Sequence, residues 1–568
     1  MVTNKSRVST ILIQTVIVLA IVVFVNLLSR QFYGYLDFTE EKRFTLSTST
    51  KTLLEEVDDV VYIDVLLDGE LPAGYKRLRA RTIELLNEFN NINRNIDYNT
   101  INPIGETTRE TNTIRENLAK DGVLPANIFI QKDDQLTEQL IYPYIIIKYG
   151  NRKIPVNLLE PRLNGEDDEA ALNRSGTMLE YKLGTALSKL FSKDVPIVIF
   201  SSGNGELPPE STAMLESELR STMSTGRIDL DTVYQLSPKI DILVVARPTI
   251  EVDLKNKFVI DQYIMNGGKV IWIVEQFHIN LDSVNQNQVY IPKPMEHNLD
   301  DLFFKYGVRI NKDLILDLEN TKIPQVVGVK AGESQTKLFD WVYNPLLQSN
   351  SDNPIVKNID RVRSTFPSTI SILDNKKQTE KSILLTSSEY SRFQKYPMRV
   401  SFNSMRIEQR KETYNKSFLP AAVLLEGEFE SFFKNRVTEK MNNGLNKIGA
   451  EFVEKSKPTS QVFISDSDVI KNLYDVKNGT ISPMGWDKWN KVAYRGNRDF
   501  IINAIEYLLD DYGLIESRSK NVKLRLLDQV ELTKHKFKWQ AINLILPSLS
   551  IILFGLIFNF RRKRKYTS

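Results

Sequence analysis

The chain has 568 residues, enough for three or four domains of ordinary size. Its 42% hydrophobic and 26% charged residues match soluble globular proteins and exclude disorder of the chain as a whole. With 74 basic and 71 acidic side chains the net charge is +3, too balanced for the field that nucleic-acid binding needs, and zero cysteines exclude disulfides, thiolate metal sites and cysteine nucleophiles.

Lys5 and Arg7 precede a run from Ile11 to Leu28 that is apolar except for Gln14, Thr15 and Asn26, close to the roughly 20 residues a helix needs to cross hydrocarbon. A cleaved signal peptide is the rival reading. Against it, the run is longer than a usual signal core, and Leu28, Ser29 and Arg30 offer no small-x-small cleavage site. The expected arrangement is a cytoplasmic tip at 1–9, a transmembrane helix at 10–29 and a membrane-proximal connector at 30–59 that leads into a capped helix over Thr48 to Val57.

An α/β domain is expected over 60–175. Val60 to Leu67 has strand composition and Asp68 to Gly74 turn chemistry, and Tyr75 to Asn91 sets Leu78, Ile83, Leu85, Leu86 and Phe89 largely on one helical stripe. Ile96 to Ile101 closes a βαβ unit. A helix at Thr108 to Lys120, a strand at Asn127 to Gln131, and a hairpin of Tyr142 to Tyr149 with Lys153 to Leu158 across Gly150 and Asn151 complete a thioredoxin-like layout. Without a C-x-x-C pair, such a fold serves binding or spacing rather than redox chemistry.

A second α/β domain, parallel and doubly wound, is expected over 176–530. The polar stretch Glu160 to Arg174 leads into it and Leu179 to Leu190 reads as a helix. Pro196 to Phe200, Ile240 to Ala246 and Lys269 to Val274 are short apolar runs of the kind that strands buried on both faces require. Helices at Glu210 to Met223 and Asp253 to Met265 alternate with them, and Asn266, Gly267 and Gly268 stop the second helix. That alternation predicts a parallel sheet covered on both faces. His297 to Tyr306 reads as a helix before Val308 to Ile310, and Ile383 to Thr386, Ala422 to Leu425 and Gln461 to Ile464 as further buried strands. Asp499 to Asp511 reads as an apolar helix, and Phe433 to Pro458, rich in Lys, Asn and Glu, as a mobile surface excursion.

After a connector at 531–538, Trp539 to Phe560 is the second expected span, with Trp539 at the interface and with Pro547 and Gly555 tolerable inside lipid. The basic tail 561–568 follows. The positive-inside rule puts both tips in the cytoplasm and the bulk of the chain in the periplasm, held by the inner membrane.

Three groups of residues carry candidate chemistry. Ser201, Ser202, Gly203, Asn204, Gly205 and Glu206 follow the first strand of the second domain, where open sheets place a ligand crevice. Their spacing is neither G-x-G-x-x-G nor a Walker loop, so a tight strand-to-helix turn is the plain alternative. Glu426, Glu428 and Glu430, and likewise Asp466 and Asp468, follow expected strands. Alternating carboxylates of this kind ligate calcium or magnesium, but no EF-hand pattern is present and capping by Asp466 is the simpler account. Arg561, Arg562, Lys563, Arg564 and Lys565 set topology and suit anionic headgroups. There is no G-x-S-x-G elbow, and His278, His297 and His535 fit no triad order, so no catalytic residue, metal or cofactor is assigned.

Six segments together resemble the gliding-motility-associated GldG family of Bacteroidetes, auxiliary or substrate-binding components of ABC transporters. They are DFTEEKRFTLS (Asp37 to Ser47), LDGELPAGYKRLR (Leu67 to Arg79), LLEGEFESFFKNR (Leu424 to Arg436), ISDSDVI (Ile464 to Ile470), GNRDFIINAIEYLLDD (Gly496 to Asp511) and ESRSKNVKLRLLD (Glu516 to Asp528). The resemblance covers nearly the whole chain. It implies that the doubly wound domain over 176–530 is flavodoxin-like, a domain also found in intraflagellar transport proteins and similar in fold to class I glutamine amidotransferases, whose cysteine nucleophile is missing here. It further implies a polytopic permease partner similar to GldF and an ATPase similar to GldA. No Walker motif is present, in keeping with energy supplied by another subunit. The function expected is a non-catalytic, membrane-anchored auxiliary subunit of an ABC transporter required for gliding motility. A periplasmic adaptor for gliding or secretion machinery and a periplasmic hydrolase are the alternatives.

Overall fold

The computed structural model describes residues 15–21, 24, 45–104, 107–132, 135–160, 162, 166–192, 194–286, 289–330, 333–373, 379–447, 449–475, 477–510, 512–519 and 536–566. The expected tip at 1–9, most of the span at 10–29, the connector as far as residue 44 and residues 531–535 lie outside the described residues. Residues 15–21 and 24 are helical and exposed. The chain divides into two units, Met1–Lys520 and Asn521–Ser568.

The first unit opens with α1 (Thr48–Glu55), whose N-cap Ser47 Oγ accepts the Thr50 N–H at 3.2 Å. β1 (Val61–Val65), α2 (Ala73–Ile92) and β2 (Ile96–Thr100) form a parallel βαβ unit with Val61 opposite Ile96. After α3 (Thr108–Lys120), β3 (Ala126–Lys132) and β4 (Gln135–Ile141) pair as a separate ladder, and β5 (Tyr144–Tyr149) and β6 (Arg152–Asn157) turn at Gly150. β5 lies antiparallel to β1, giving the order β2-β1-β5-β6. Strand β4 was hidden from sequence because QLTEQLI reads as polar.

α4 (Asp168–Phe191) covers this sheet. The expected polar lead-in ends at residue 167: Asp167 Oδ1 accepts the Ala170 N–H at 2.7 Å, and Asp168 and Glu169 occupy the first turn, where the helix dipole favours negative charge. Acidic residues taken for a loop are thus a helix start. α4 runs across residue 175 and buries Leu179, Leu183, Leu187 and Leu190 in one core with Leu53, Leu86, Phe89 and Ile147.

The second sheet comprises β7 (Ile197–Ser202), β8 (Ser224–Asp229), β9 (Ile242–Ala246), β10 (Lys269–Ile273), β11 (Thr379–Thr386), β12 (Pro420–Gly427) and β13 (Thr459–Ile464), in the order β11-β12-β13-β10-β9-β7-β8. The five strands from β13 to β8 are parallel; at the other edge β12 runs antiparallel to both its neighbours, β13 and β11. The expected all-parallel sheet is corrected there, because residues 428–458 leave and re-enter at the same end of the sheet instead of crossing a face. The expected helix to Met223 also stops early: α5 (Pro209–Leu219) gives way to β8, whose sequence STGRID hides an edge strand.

Successive residues of these strands point to opposite faces. Val198, Phe200, Val244, Ile271 and Leu424 pack under α5 and α8 (Arg495–Leu509), and Leu243, Val245, Trp272, Val423 and Phe463 pack under α6 (Leu254–Met265) and α7 (Asp300–Tyr306). Trp272 is fully buried, donates from Nε1 to Gln461 Oε1 at 2.9 Å and meets Phe303 edge-on at 5.0 Å. The segment expected as a mobile excursion is anchored. Phe432 and Phe433 are buried in the second core, and Phe452 stacks on Phe258 at 6.2 Å. A few aromatic residues there outweigh a polar average.

Between β10 and β12 the chain builds a β-rich arm around Trp341, Tyr343 and Tyr414, including the long hairpin Asn320–Lys330 with Glu333–Leu347. After α8 it returns to the first core: Leu514 packs against Gly184, and Tyr512 donates to Glu56 Oε2 at 2.7 Å. The second unit is α9 (Lys536–Tyr566). Within it, Ile545–Arg564 is 20 residues long and apolar enough to cross a membrane, with none of it buried.

Candidate functional site

The strand order reverses between β7 and β9, so the loops after these strands flank the place where open α/β sheets bind ligands. Residues 201–206 lie there and close the place with their own groups. Ser201 Oγ is buried and donates to Glu206 Oε1 at 2.8 Å, and the Asn204 N–H donates to Glu206 Oε2 at 2.7 Å. The Asn204 carbonyl accepts the N–H groups of Thr249 and Ile250 at 2.9 and 3.0 Å, and Thr249 Oγ1 donates to the Gly205 carbonyl at 2.9 Å. Gly205 has φ +72°, and a Cβ there would lie 2.3 Å from Thr249 Oγ1. Its glycine lets two loops touch. Ser202 is half-buried opposite Asp229 in the β7–β8 register, and Gly203, φ +108°, abuts the Asp229 carboxylate.

Asp466 and Asp468 lie at the same end of the sheet, after β13. Arg247, at φ 58°, donates from Nε to Glu275 Oε2 at 2.8 Å, and Ser467 Oγ donates to the other oxygen of Glu275. The Asp466 carboxylate is buried and accepts Ser364 Oγ–H and the Thr365 N–H, both at 2.5 Å, and the Asp468 N–H at 2.9 Å, which caps a short 3₁₀ turn. Burial first, then the negative charges of Asp468 and Glu275, push its pKa up to about 8. Arg247 and Glu275 join this cluster although sequence spacing gave no hint of them.

Glu426 is at the opposite end of the sheet, because β12 is antiparallel to β13. It accepts Tyr507 Oη–H at 3.0 Å and Ser460 Oγ–H at 3.2 Å, and burial raises its pKa. Glu428 pairs with Lys455, and Glu430 accepts from Lys305 and Lys434 at 3.1 and 3.3 Å. The two acidic pairs are therefore not one site. Among the described residues no three His, Asp or Glu side chains are grouped to hold a metal. His297 is buried and its Nδ1 accepts the Leu299 N–H at 3.1 Å, and His278 Nδ1 lies 3.2 Å from Arg247. Arg561 to Lys565 fall in the last turns of α9.

An open cavity of about 1220 Å³ lies beside α7, where sequence reading placed nothing. Six cations line it: Lys305, Arg309, Lys312, Lys395, Lys434 and Arg436. Its carboxylates are engaged. Asp301 accepts from the buried Lys257 at 2.7 Å, Asp300 lies 3.7 Å from Lys312, and Asp313 accepts Thr369 N–H and Oγ1–H at 2.8 and 2.7 Å with its pKa raised by burial. Lys395 stands opposite Asp313 in an antiparallel ladder and its charge acts on that carboxylate, whereas among the described residues Arg309 and Arg436 form no ion pair. These cations are scattered over a hundred residues of mixed charge, which is why no motif marks them.

Comparison with known proteins adds a family. Residues 196–504, more than half of the chain, match the family described as ABC-type uncharacterized transport system, and residues 40–148 match a domain of unknown function (DUF7088). An uncharacterized protein of Borreliella burgdorferi is 24% identical over 543 residues, 93% of each chain. Among solved structures, the mmIFT52 N-terminal domain superposes with a TM-score of 0.31 at 11% identity, covering 55% of this chain and 97% of that one. The exo-β-1,4-mannosidase Op5Man5 from Opitutaceae bacterium strain TAV5 gives 0.18 at 9% identity, covering 53% and 35%. At these scores neither structure bears on fold or function. By the match over its second sheet, the chain belongs to the auxiliary-component family of ABC-type transport systems, and membership implies association with a transporter's permease and ATPase.

Proposed function

We propose that this chain is a non-catalytic auxiliary subunit tethered to the inner membrane at both ends, by 10–29 and 539–560, with its α/β domains in the periplasm against a polytopic permease. The observation that carries this reading is the meeting of the two flanks of the folded region. Leu46, 18 residues after Leu28, and Leu514, 25 residues ahead of Trp539, are buried in the same core under α4. Flanks that meet in one core suit a fold held twice by one bilayer. Its strand orders, β2-β1-β5-β6 with a crossover helix and β8-β7-β9-β10, support the thioredoxin-like and flavodoxin-like assignments. The closed turn at 201–206 supports a non-catalytic role. The resemblance to GldG makes gliding motility the proposed setting, with partners similar to GldF and GldA.

The absence of native cysteine makes the topology directly testable. Ser6→Cys, Tyr234→Cys and Ser568→Cys are each exposed to a membrane-impermeant maleimide in cells with a permeabilised outer envelope; Tyr234 is 69% exposed. Only Tyr234→Cys should label before lysis. Labelling at either terminus would remove the two-span topology.

A further inference from the structure

We propose that the cavity beside α7 binds an anionic solute, a molecule with a phosphate or carboxylate group on an apolar or ring-shaped body. The charge argument rests on the imbalance. Lys305 and Lys434 share Glu430, Lys312 faces Asp300, and Lys257 uses Asp301, so the carboxylates present are already matched. Lys395 likewise faces Asp313, which leaves over Arg309 and Arg436, and Arg436 lies over the ring of Phe432 at 4.2 Å. Aromatic faces hold a cation in place without neutralising it. Two uncompensated guanidinium groups in one concavity raise the local potential and favour an oxyanion there, since the planar fork of each matches a carboxylate or phosphate.

The apolar half of the ligand follows from the other lining residues. Phe304 is 52% exposed and Tyr396 44% exposed, and both line the cavity with Phe393. Large aromatic surface left in water beside a cluster of cations suits a ring or an aliphatic segment attached to the anion. At about 1220 Å³ the cavity exceeds the roughly 300–1,000 Å³ typical of sites for drug-sized ligands. An inorganic ion would leave most of it empty, and its concave form favours a solute over a flat bilayer. The site stands apart from the glycine loop and does not depend on the chain being a transporter subunit.

The test uses the full chain in nanodiscs made from an uncharged lipid, with pyranine, a trisulfonated pyrene, as a fluorescent probe of the same chemistry. Saturable binding is expected, and Arg309→Glu with Arg436→Glu should weaken it by at least about tenfold while Arg309→Lys weakens it less. Phe304→Ala, which leaves every charge in place, should also lower affinity. Melting curves that match the parent keep a folding defect from imitating the result. Soluble phosphosugars should displace the probe, and displacement only by phosphatidylglycerol vesicles would replace the solute with a lipid surface. Affinity unchanged by the double charge reversal in a folded protein, or no saturable binding, would overturn the proposal.

Discussion

At the end of β7, Ser201, Asn204 and Glu206 bond to one another and to the turn at 249–250, whereas in the cavity beside α7 two cations, Arg309 and Arg436, form no ion pair among the described residues. The first place carries the signals that sequence reading associates with ligands: glycines, a serine and an acid at the carboxyl end of a buried strand. The second carries no contiguous signal. A polar loop becomes a site only if its groups remain available after folding, and availability is a property of tertiary contacts that spacing does not report.

The closed side of this contrast breaks most sharply at Gly205. Gly205→Val forces a branched side chain onto a positive φ and into Thr249, so the second sheet should lose about 3 kcal/mol or more, read as a fall in melting temperature. A next effect is expected at Asp261, buried in α6, whose carboxylate accepts from Ser431 Oγ, the Phe432 N–H and Tyr306 Oη at 2.6, 2.8 and 2.9 Å. Asp261→Ala strands those donors and should cost about 3 kcal/mol in urea unfolding while loosening the segment that carries Lys434 and Arg436.

Asp466 sharpens the comparison through pH. Its folded pKa of about 8 lies above the ordinary 3.8, so the folded state holds the proton more tightly. The stability it contributes is therefore fully present below about pH 4 and is lost as pH rises through 8. Asp466→Asn should flatten the fall of melting temperature across that window, and an unchanged slope would assign the pH dependence to other groups. Smaller effects separate the two serines. Ser201→Ala should cost about 1 kcal/mol for its buried hydrogen bond, and Ser202→Ala close to nothing. A similarly small effect is expected at Glu428, whose exposed pair with Lys455 makes Glu428→Gln worth no more than about 0.5 kcal/mol.

Much of the second sheet was legible because its central strands are short apolar runs: Ile242 to Ala246, Lys269 to Ile273 and Thr459 to Ile464 all fall where hydrophobic continuity put them. Edge strands escaped for the opposite reason. Ser224–Asp229 has no fully buried residue and QLTEQLI, Gln135–Ile141, is mostly polar, so neither carries the apolar run that marks a central strand. The start of α4 was misread because acidic residues serve both loops and helix N-termini. Phe432 and Phe433 show a further limit, since two buried rings fix a segment whose average composition is that of a surface loop. In the candidate site the glycine loop was legible as a turn, but Arg247 and Glu275, which complete the acidic cluster, come from other strands and meet only in the folded sheet.

The central claim, that the chain works as a tethered subunit of an ABC transporter, is tested most directly by purifying the full-length protein from its own membranes in a gentle detergent and identifying what accompanies it by mass spectrometry. The account predicts a polytopic permease and an ATPase in constant ratio to the chain. Envelope or motility proteins without either component would contradict it and leave an adaptor.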